Sequence, residues 1–312
     1  MNEEIDVRRA ETFLNSLFNG TAINVAVLGE GAWSKAFAFQ IGADKLVARF
    51  GAYREDFEKD EYAMNFAGAD LPVPRTVKIG EAFDGYFAIS ERHSGQFLEN
   101  LGGEEFERLT PKLLRLFDAM REVRVDQSAS AQWPARPGHR VSWREWLSKS
   151  VVDDNCPTVG GWRVELARNV EINDLFEEGV RVMRELLLYC PNELHVIHGD
   201  LLNRNVLVSD DSRRFAAVFD WGCPSYGDFL YDVAWLTSWA PWHEGLKQLD
   251  TRSLFRTHFR DQGVEVPDFD ERLACYELQI GLTHLAYNTV IRNQKELHAV
   301  AIRTKEVLAQ LE

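Results

Sequence analysis

The chain has 312 residues, 45% hydrophobic and 27% charged, with 49 acidic against 35 basic side chains and a formal net charge of -14. That length requires one large or two modest domains, and the composition is that of a globular rather than a disordered protein. The acidic surplus repels nucleic-acid phosphate and anionic lipid, which disfavours a nucleic-acid-binding module and a membrane-surface protein, while it favours cationic small molecules.

In chain order, residues 4–19 place Ile5, Val7, Phe13, Leu14, Leu17 and Phe18 on an amphipathic helix that Asn19-Gly20 ends. Three strand-like runs follow, INVAVLGEG, KAFAFQI and KLVARFGA, the last two joined by a turn at Gly42-Ala43-Asp44. EDFEKDEYAMNFAGA reads as a helix, and LPVPRTVKIGEAFDGYFAISER as two strands around Phe83-Asp84-Gly85. Residues 1–93 are therefore expected to form a small antiparallel sheet with one helix inserted after its third strand. From 94 to 312 the pattern is mainly helical, with candidates at 103–125, 142–152, 172–190, 245–262 and 270–310 and a Pro-containing loop at 126–141. The expected fold class is α+β, with a β-sheet N-lobe and a larger helical C-lobe.

The four cysteines (Cys156, Cys190, Cys223, Cys275) show neither metal-ligand spacing nor a disulfide framework. The start, MNEEIDVRRA, is polar, and no apolar run is long enough to span a bilayer. The expectation is a protein of the cytoplasm with no membrane partner.

The stretch HVIHGDLLNRNVLVSDDSRRFAAVFDWG, residues 195–222, carries the chemistry. Asp200 follows a short apolar run, Asn205 comes five residues later, a hairpin-like segment follows, and Asp220 precedes Trp-Gly. Each piece alone is a common turn or cap. Together they match the H-R-D-x-x-x-x-N and D-F-G layout of kinases, with Gly in place of Arg and Trp in place of Phe. A carboxylate and an amide oxygen brought together by a hairpin are hard ligands suited to Mg²⁺, and Asp200 is left to accept the proton of a substrate hydroxyl.

HGDLLNRN with VFDWG and YGDFLYDVAWL resembles the aminoglycoside phosphotransferase family, antibiotic kinases with a protein-kinase-like two-lobed fold. RFGAYREDFEKDEYAMNFA, LPVP and RLACYELQIGLTHLAY carry the likeness over nearly the whole chain and towards the hygromycin B-phosphorylating members. The resemblance implies ATP (or GTP) with Mg²⁺, Asp200 as base, and Asn205 and Asp220 on the metal. It implies that Asp228 and Asp232 support the catalytic loop, Asp228 being also a candidate at the acceptor site, and that His198 braces that loop. The implied acceptor is a polyhydroxylated, cationic antibiotic, and the implied consequence is resistance. The hygromycin pattern carries an acidic residue within the stretch that reads GLTHLAY here, where this chain has Thr283 and His284. That departure speaks against hygromycin itself and leaves an aminocyclitol or other cationic, polyhydroxylated acceptor; a metabolic kinase of choline, homoserine or ketosamine type, which shares the fold, is the alternative. A pseudokinase scaffold is disfavoured because base, amide and carboxylate are all present.

Within the N-lobe, Gly29, Gly31 and Ser34 in LGEGAWSKAFAF suit a phosphate-covering loop, since small residues let backbone N–H groups approach oxygen. Arg49 stands where kinases place a Lys, with Lys45 as competitor. Its acidic partner is ambiguous among Glu58, Asp60 and Glu61, and Glu61 is the choice. Backbone groups from Glu91 to His93 are expected to meet the adenine edge. For the acceptor, Trp235, Trp239 and Trp242 share one helical stripe, and Glu277, Gly281, His284 and Asn288 form a second row. Either set can equally be packing or solvated surface.

Overall fold

The structure is a computed structural model that describes residues 4–31, 33–127, 129–131, 141–152, 160–223 and 225–311. The chain divides into two compact units, one of Met1–Leu98 with Asn203–Cys223 and one of Glu99–Leu202 with Pro224–Glu312. The hairpin that holds Asn205 and Asp220 therefore groups with the N-terminal residues, although in sequence it lies far beyond residue 93.

The first unit is built on an antiparallel sheet of β1 (Ala22–Glu30), β2 (Ser34–Ile41), β3 (Asp44–Gly51), β4 (Thr76–Ala82) and β5 (Gly85–Glu91), in the order β1-β2-β3-β5-β4. α1 (Val7–Leu17) is capped by Asp6, whose carboxylate accepts the Arg9 N–H at 2.8 Å. It lays Ala10 and Leu14 against Phe37, Phe39, Phe50, Phe87 and Ile89. Each such phenylalanine contributes about 1.5–3 kcal/mol by leaving water. α2 (Arg54–Ala63) follows the third strand, as expected. A separate three-stranded sheet joins β6 (Gln96–Phe97), β8 (Val206–Val208) and β9 (Phe215–Val218) in that order. Gly95, at φ 155°, admits this pairing, because a Cβ there would collide with the Val208 carbonyl.

The second unit contains α3 (Gly103–Glu122), α4 (Trp143–Ser150), α5 (Trp162–Leu166), α6 (Val170–Leu186), α7 (Leu230–Trp239), α8 (Thr251–Asp261), α9 (Phe269–Val290) and α10 (Gln294–Ala309). β7 (His195–Ile197) and β10 (Ser225–Gly227) pair antiparallel. α9 is central, with α5, α6, α7 and α10 packed on it. That position explains its sequence, which is apolar around most of its circumference rather than along one stripe.

Several expectations shift. The single helical segment at 270–310 is two helices, broken where Arg292 takes φ 58° and Asn293 caps α10 by accepting the Glu296 N–H. α5, β6 and β10 were too short to show a period. Most of the expected loop at 126–141, and Cys156, lie outside the described residues. Among the described residues no helix is long and apolar enough to cross a membrane.

Candidate active site

The loop after β7 is built in the second unit. Gly199 takes φ 74°, and the backbone N–H groups of His198 and Gly199 donate to the two carboxylate oxygens of Asp232 at 2.9 and 2.8 Å. Asp232 is buried in the first turn of α7, and burial lifts its pKa from 3.8 to about 6 against the pull of those two hydrogen bonds. The fully buried His198 accepts the Asp200 N–H on Nδ1 at 3.2 Å. A neutral imidazole with an accepting Nδ1 carries its proton on Nε2, so His198 braces the loop. Asp200 is half-buried beyond it.

Asp228 is completely buried and accepts both the Nε and a terminal nitrogen of Arg272, at 2.8 and 2.7 Å, and the Tyr276 hydroxyl at 2.5 Å. Burial and the Asp228 charge hold the Tyr276 phenol well above its ordinary pKa, so it stays a donor. These bonds occupy Asp228 with internal partners, which corrects its placing at the acceptor: it is a structural group at the foot of α7.

In the first unit, the pairing of β8 with β9 sets Val206 opposite Val218, and the Phe219 N–H donates to the Asn205 carbonyl at 3.0 Å. Asn205 and Asp220 are thereby brought to one end of the same ribbon. Asp220 has the left-handed φ of 61°, an unfavourable backbone for a non-glycine residue that its neighbours must hold. α2 supplies the restraint. Asp60 Oδ1 accepts the Trp221 N–H at 2.7 Å, and Lys59 Nζ donates to the Gly222 carbonyl at 2.9 Å. The other oxygen of Asp60 takes the Arg49 guanidinium, whose second terminal nitrogen lies 3.6 Å from Asp220. Burial lowers the pKa of Arg49 from its ordinary value, with Asp220 and Asp56 opposing the shift.

The acid opposite Arg49 is thus Asp60, not Glu61. Phe57, Asp60 and Ala63 repeat every three residues on the buried face of α2, and Glu61 falls on the exposed one. The apolar Phe57 and Ala63, three residues to either side of Asp60, carry that signal in the sequence. Lys59 was missed altogether. Lys45 lies exposed at the far end of β3, next to its turn.

Gly29 pairs with Ala36, and the Gly31 N–H closes the β1–β2 hairpin on the Ser34 carbonyl at 2.9 Å, with Ala32 outside the described residues. At the end of β5 the N–H groups of Glu91 and Arg92 donate to the Arg75 and Lys45 carbonyls, and the Glu91 carboxylate accepts from Arg75. His93 is half-buried, and its Nε2 has no partner among the described residues.

The polar row on α9 does not form one open face. Glu277 is buried with no side-chain exposure and is bonded to Thr237 at 2.5 Å, to Arg252, and to Arg303 at 3.3 Å. Its oxygens are engaged inside the helix packing, which corrects its expected place at the acceptor. Gly281 packs against Thr304, and the buried Asn288 donates to the His284 carbonyl at 2.9 Å. His284 differs: its ring lies edge-on to Trp239 at 4.7 Å and to Trp235 at 5.5 Å.

Asn205 and the half-exposed Asp220 offer one amide and one carboxylate oxygen. No group of three or more His, Cys, Asp or Glu side chains suited to a metal occurs among the described residues. A pair of hard oxygen donors fits Mg²⁺, which takes few protein ligands and completes its shell with phosphate and water.

The model of the phosphotransferase enzyme family matches residues 25–267. Hygromycin-B 4-O-kinase of Escherichia coli is 30% identical over 298 residues, which is 93% of this chain and 82% of that protein. A thermostable variant of aminoglycoside phosphotransferase APH(4)-Ia, solved with AMP-PNP and hygromycin B, superposes with a TM-score of 0.82 at 27% identity, over 96% of this chain and 97% of the other. Aminoglycoside 2'-phosphotransferase-IIIa, solved with GDP, shares the fold at a TM-score of 0.67 and 18% identity, over 99% of this chain and 100% of the other.

Proposed function

The chain belongs to the phosphotransferase enzyme family, and on that premise we propose that it transfers the γ-phosphoryl group of ATP to a hydroxyl of an aminocyclitol antibiotic of the hygromycin B type. The observation that carries the transfer chemistry is the linkage of Arg49, Asp60 and the Trp221 backbone beside Asp220. It puts a cation, its acidic anchor and the D-W-G turn into one rigid group, as phosphoryl transfer requires. The choice of acceptor is supported by likeness to the hygromycin kinases and by the net charge of -14.

In this reading Asp200 accepts the proton of the attacking hydroxyl, its position set through His198 and Asp232. Asn205 and Asp220 hold Mg²⁺, which when bound neutralises charge on the β- and γ-phosphates. Arg49 reaches the nucleotide phosphates with a planar fork in place of the usual ammonium. The hairpin of Gly29, Gly31 and Ser34 covers the phosphates through backbone N–H groups, and the segment ending at His93 borders the base. Since the Glu91 and Arg92 N–H groups are engaged, base recognition falls to the remaining backbone groups there.

One observation favours the alternative of a metabolic small-molecule kinase. Thr283 donates back to the Gln279 and Ile280 carbonyls within α9, so that stretch presents no carboxylate to a cationic acceptor. A panel of hygromycin B, other aminoglycosides, choline, homoserine and ketosamines in a coupled ADP-release assay separates the readings. Turnover with hygromycin B supports the proposal, and turnover with a housekeeping metabolite alone overturns it.

A further inference from the structure

The second unit contains a cavity of about 560 Å³ where the end of α7, the segment leading into α8 and the middle of α10 adjoin. Its wall carries three cations, Lys247, Arg252 and Arg303, against one acid, Asp250. In a chain with 49 acidic and 35 basic side chains that ratio is the reverse of the average. Asp250 is turned towards its own helix, where it caps α8 by accepting the Ser253 N–H at 3.0 Å and the Ser253 hydroxyl at 2.6 Å.

The positive charge of that wall is only partly answered. Arg252 and Arg303 share the single buried carboxylate of Glu277, two positive charges against one negative. The other acids in reach stand in solvent: Glu306 meets Arg303 at 3.2 Å and Glu244 meets Lys247 at 2.5 Å, with side chains 52% and 74% exposed. Surface pairs of this kind contribute at most about 1 kcal/mol, so a ligand can compete with them. Donors are also in excess. Lys247 has three N–H groups and bonds Glu244, the second terminal nitrogen of Arg252 comes no nearer to Asp270 than 4.0 Å, and the Arg303 Nε–H, buried behind the wall, has no acceptor among the described residues. Such a wall repels a cationic acceptor and lies outside the transfer apparatus.

We propose that this cavity is a second binding site, for the phosphate group of a small molecule, held by Lys247, Arg252 and Arg303. A phosphate brings up to two negative charges and several accepting oxygens, which match three cations that arrive from a loop, from α8 and from α10. The guanidinium of Arg252 offers a planar fork to such a group, and the first turn of α8, which adds Thr251 to the wall, contributes the positive end of a helix dipole. The volume exceeds what a phosphate alone fills and leaves room for an organic remainder.

Calorimetric titration of the full chain saturated with AMP-PNP and Mg²⁺, so that the nucleotide's own phosphate positions are filled, tests the proposal with inorganic phosphate and ribose 5-phosphate at constant ionic strength. Lys247→Ala removes a half-exposed side chain bonded to an exposed acid and leaves the fold intact, so Kd should rise about three- to tenfold for both probes. Lys247→Glu reverses the charge and should raise Kd further, while KM for ATP stays within about twofold. Arg252→Lys keeps a cation opposite Glu277 but loses the fork, and should also raise Kd about three- to tenfold at an unchanged melting temperature. Tighter binding of the ester places its sugar in the rest of the cavity, and equal affinity makes free phosphate the occupant; both support the site. Heats no larger than those of sodium chloride, or a Kd unchanged in Lys247→Glu, overturn it. Neither failure touches the phosphotransferase reading, which the ADP-release assay decides.

Discussion

Asp60 holds Arg49 on one carboxylate oxygen while its other oxygen receives the backbone N–H of Trp221 at 2.7 Å. One side chain therefore ties the cation of β3 to the turn that presents Asp220. Asp60→Ala is expected to lower kcat/KM about 100-fold, with a rise in KM for ATP, because both the cation and the turn lose their anchor. Glu61→Ala, on the exposed face of the same helix, should stay within about twofold. Steady-state kinetics of the pair checks the assignment, and equal losses would return the partner of Arg49 to doubt.

Asp220→Asn removes a full charge from the candidate Mg²⁺ site while keeping its shape. Turnover at ordinary magnesium should fall by about 10²–10³-fold, with partial recovery as magnesium is raised. A variant that keeps wild-type activity in a magnesium titration would remove Asp220 from that role.

Asp200→Ala and Asp200→Asn should both lower kcat by about 10²–10⁴-fold with little change in nucleotide affinity. Single-turnover phosphoryl transfer, compared with ADP binding, distinguishes loss of the base from loss of binding. Unchanged transfer would exclude Asp200 as the proton acceptor.

The Asp228–Arg272 pair is buried at both ends, with side-chain exposures of 0% and 5%. Arg272→Ala leaves a buried, uncompensated carboxylate and should destabilise the chain by about 3–5 kcal/mol. Asp228→Asn combined with Arg272→Met should cost less than Arg272→Ala alone, since it removes the stranded charge. Urea unfolding of wild type, single and double variants measures both statements.

Asp232 bears on stability in the opposite sense to most carboxylates. Its pKa is raised in the folded chain from 3.8 to about 6, so between those values the native state keeps a proton that the unfolded chain releases. Its contribution therefore grows as pH falls through about 6 and levels off below the unfolded value. Between about pH 7.5 and about pH 5, wild type should gain about 1 kcal/mol over Asp232→Asn. Thermal unfolding of the two chains at both pH values reads this difference directly, and a parallel pH dependence would contradict it.

Much of this protein is written in local sequence. Strands β1 to β5 and helices α1 and α2 follow from period and turn chemistry, because Phe37, Phe39, Phe50 and Phe87 recur where one sheet face is buried and Gly42 marks the turn. Spacing alone proposed Asp200, Asn205 and Asp220, since a hairpin of fixed length fixes which residues meet across it. What the tertiary structure decided concerns partners. Asp60 and Glu61 are equally acidic neighbours, and only the packing of Phe57 and Ala63 turns one of them inward. Glu277 and His284 share a polar row, yet Arg252 and Arg303 claim the first while the second packs edge-on against Trp235 and Trp239. Residue type states what a side chain can bond. Which bond it makes depends on the chain that folds back against it, often a hundred residues away.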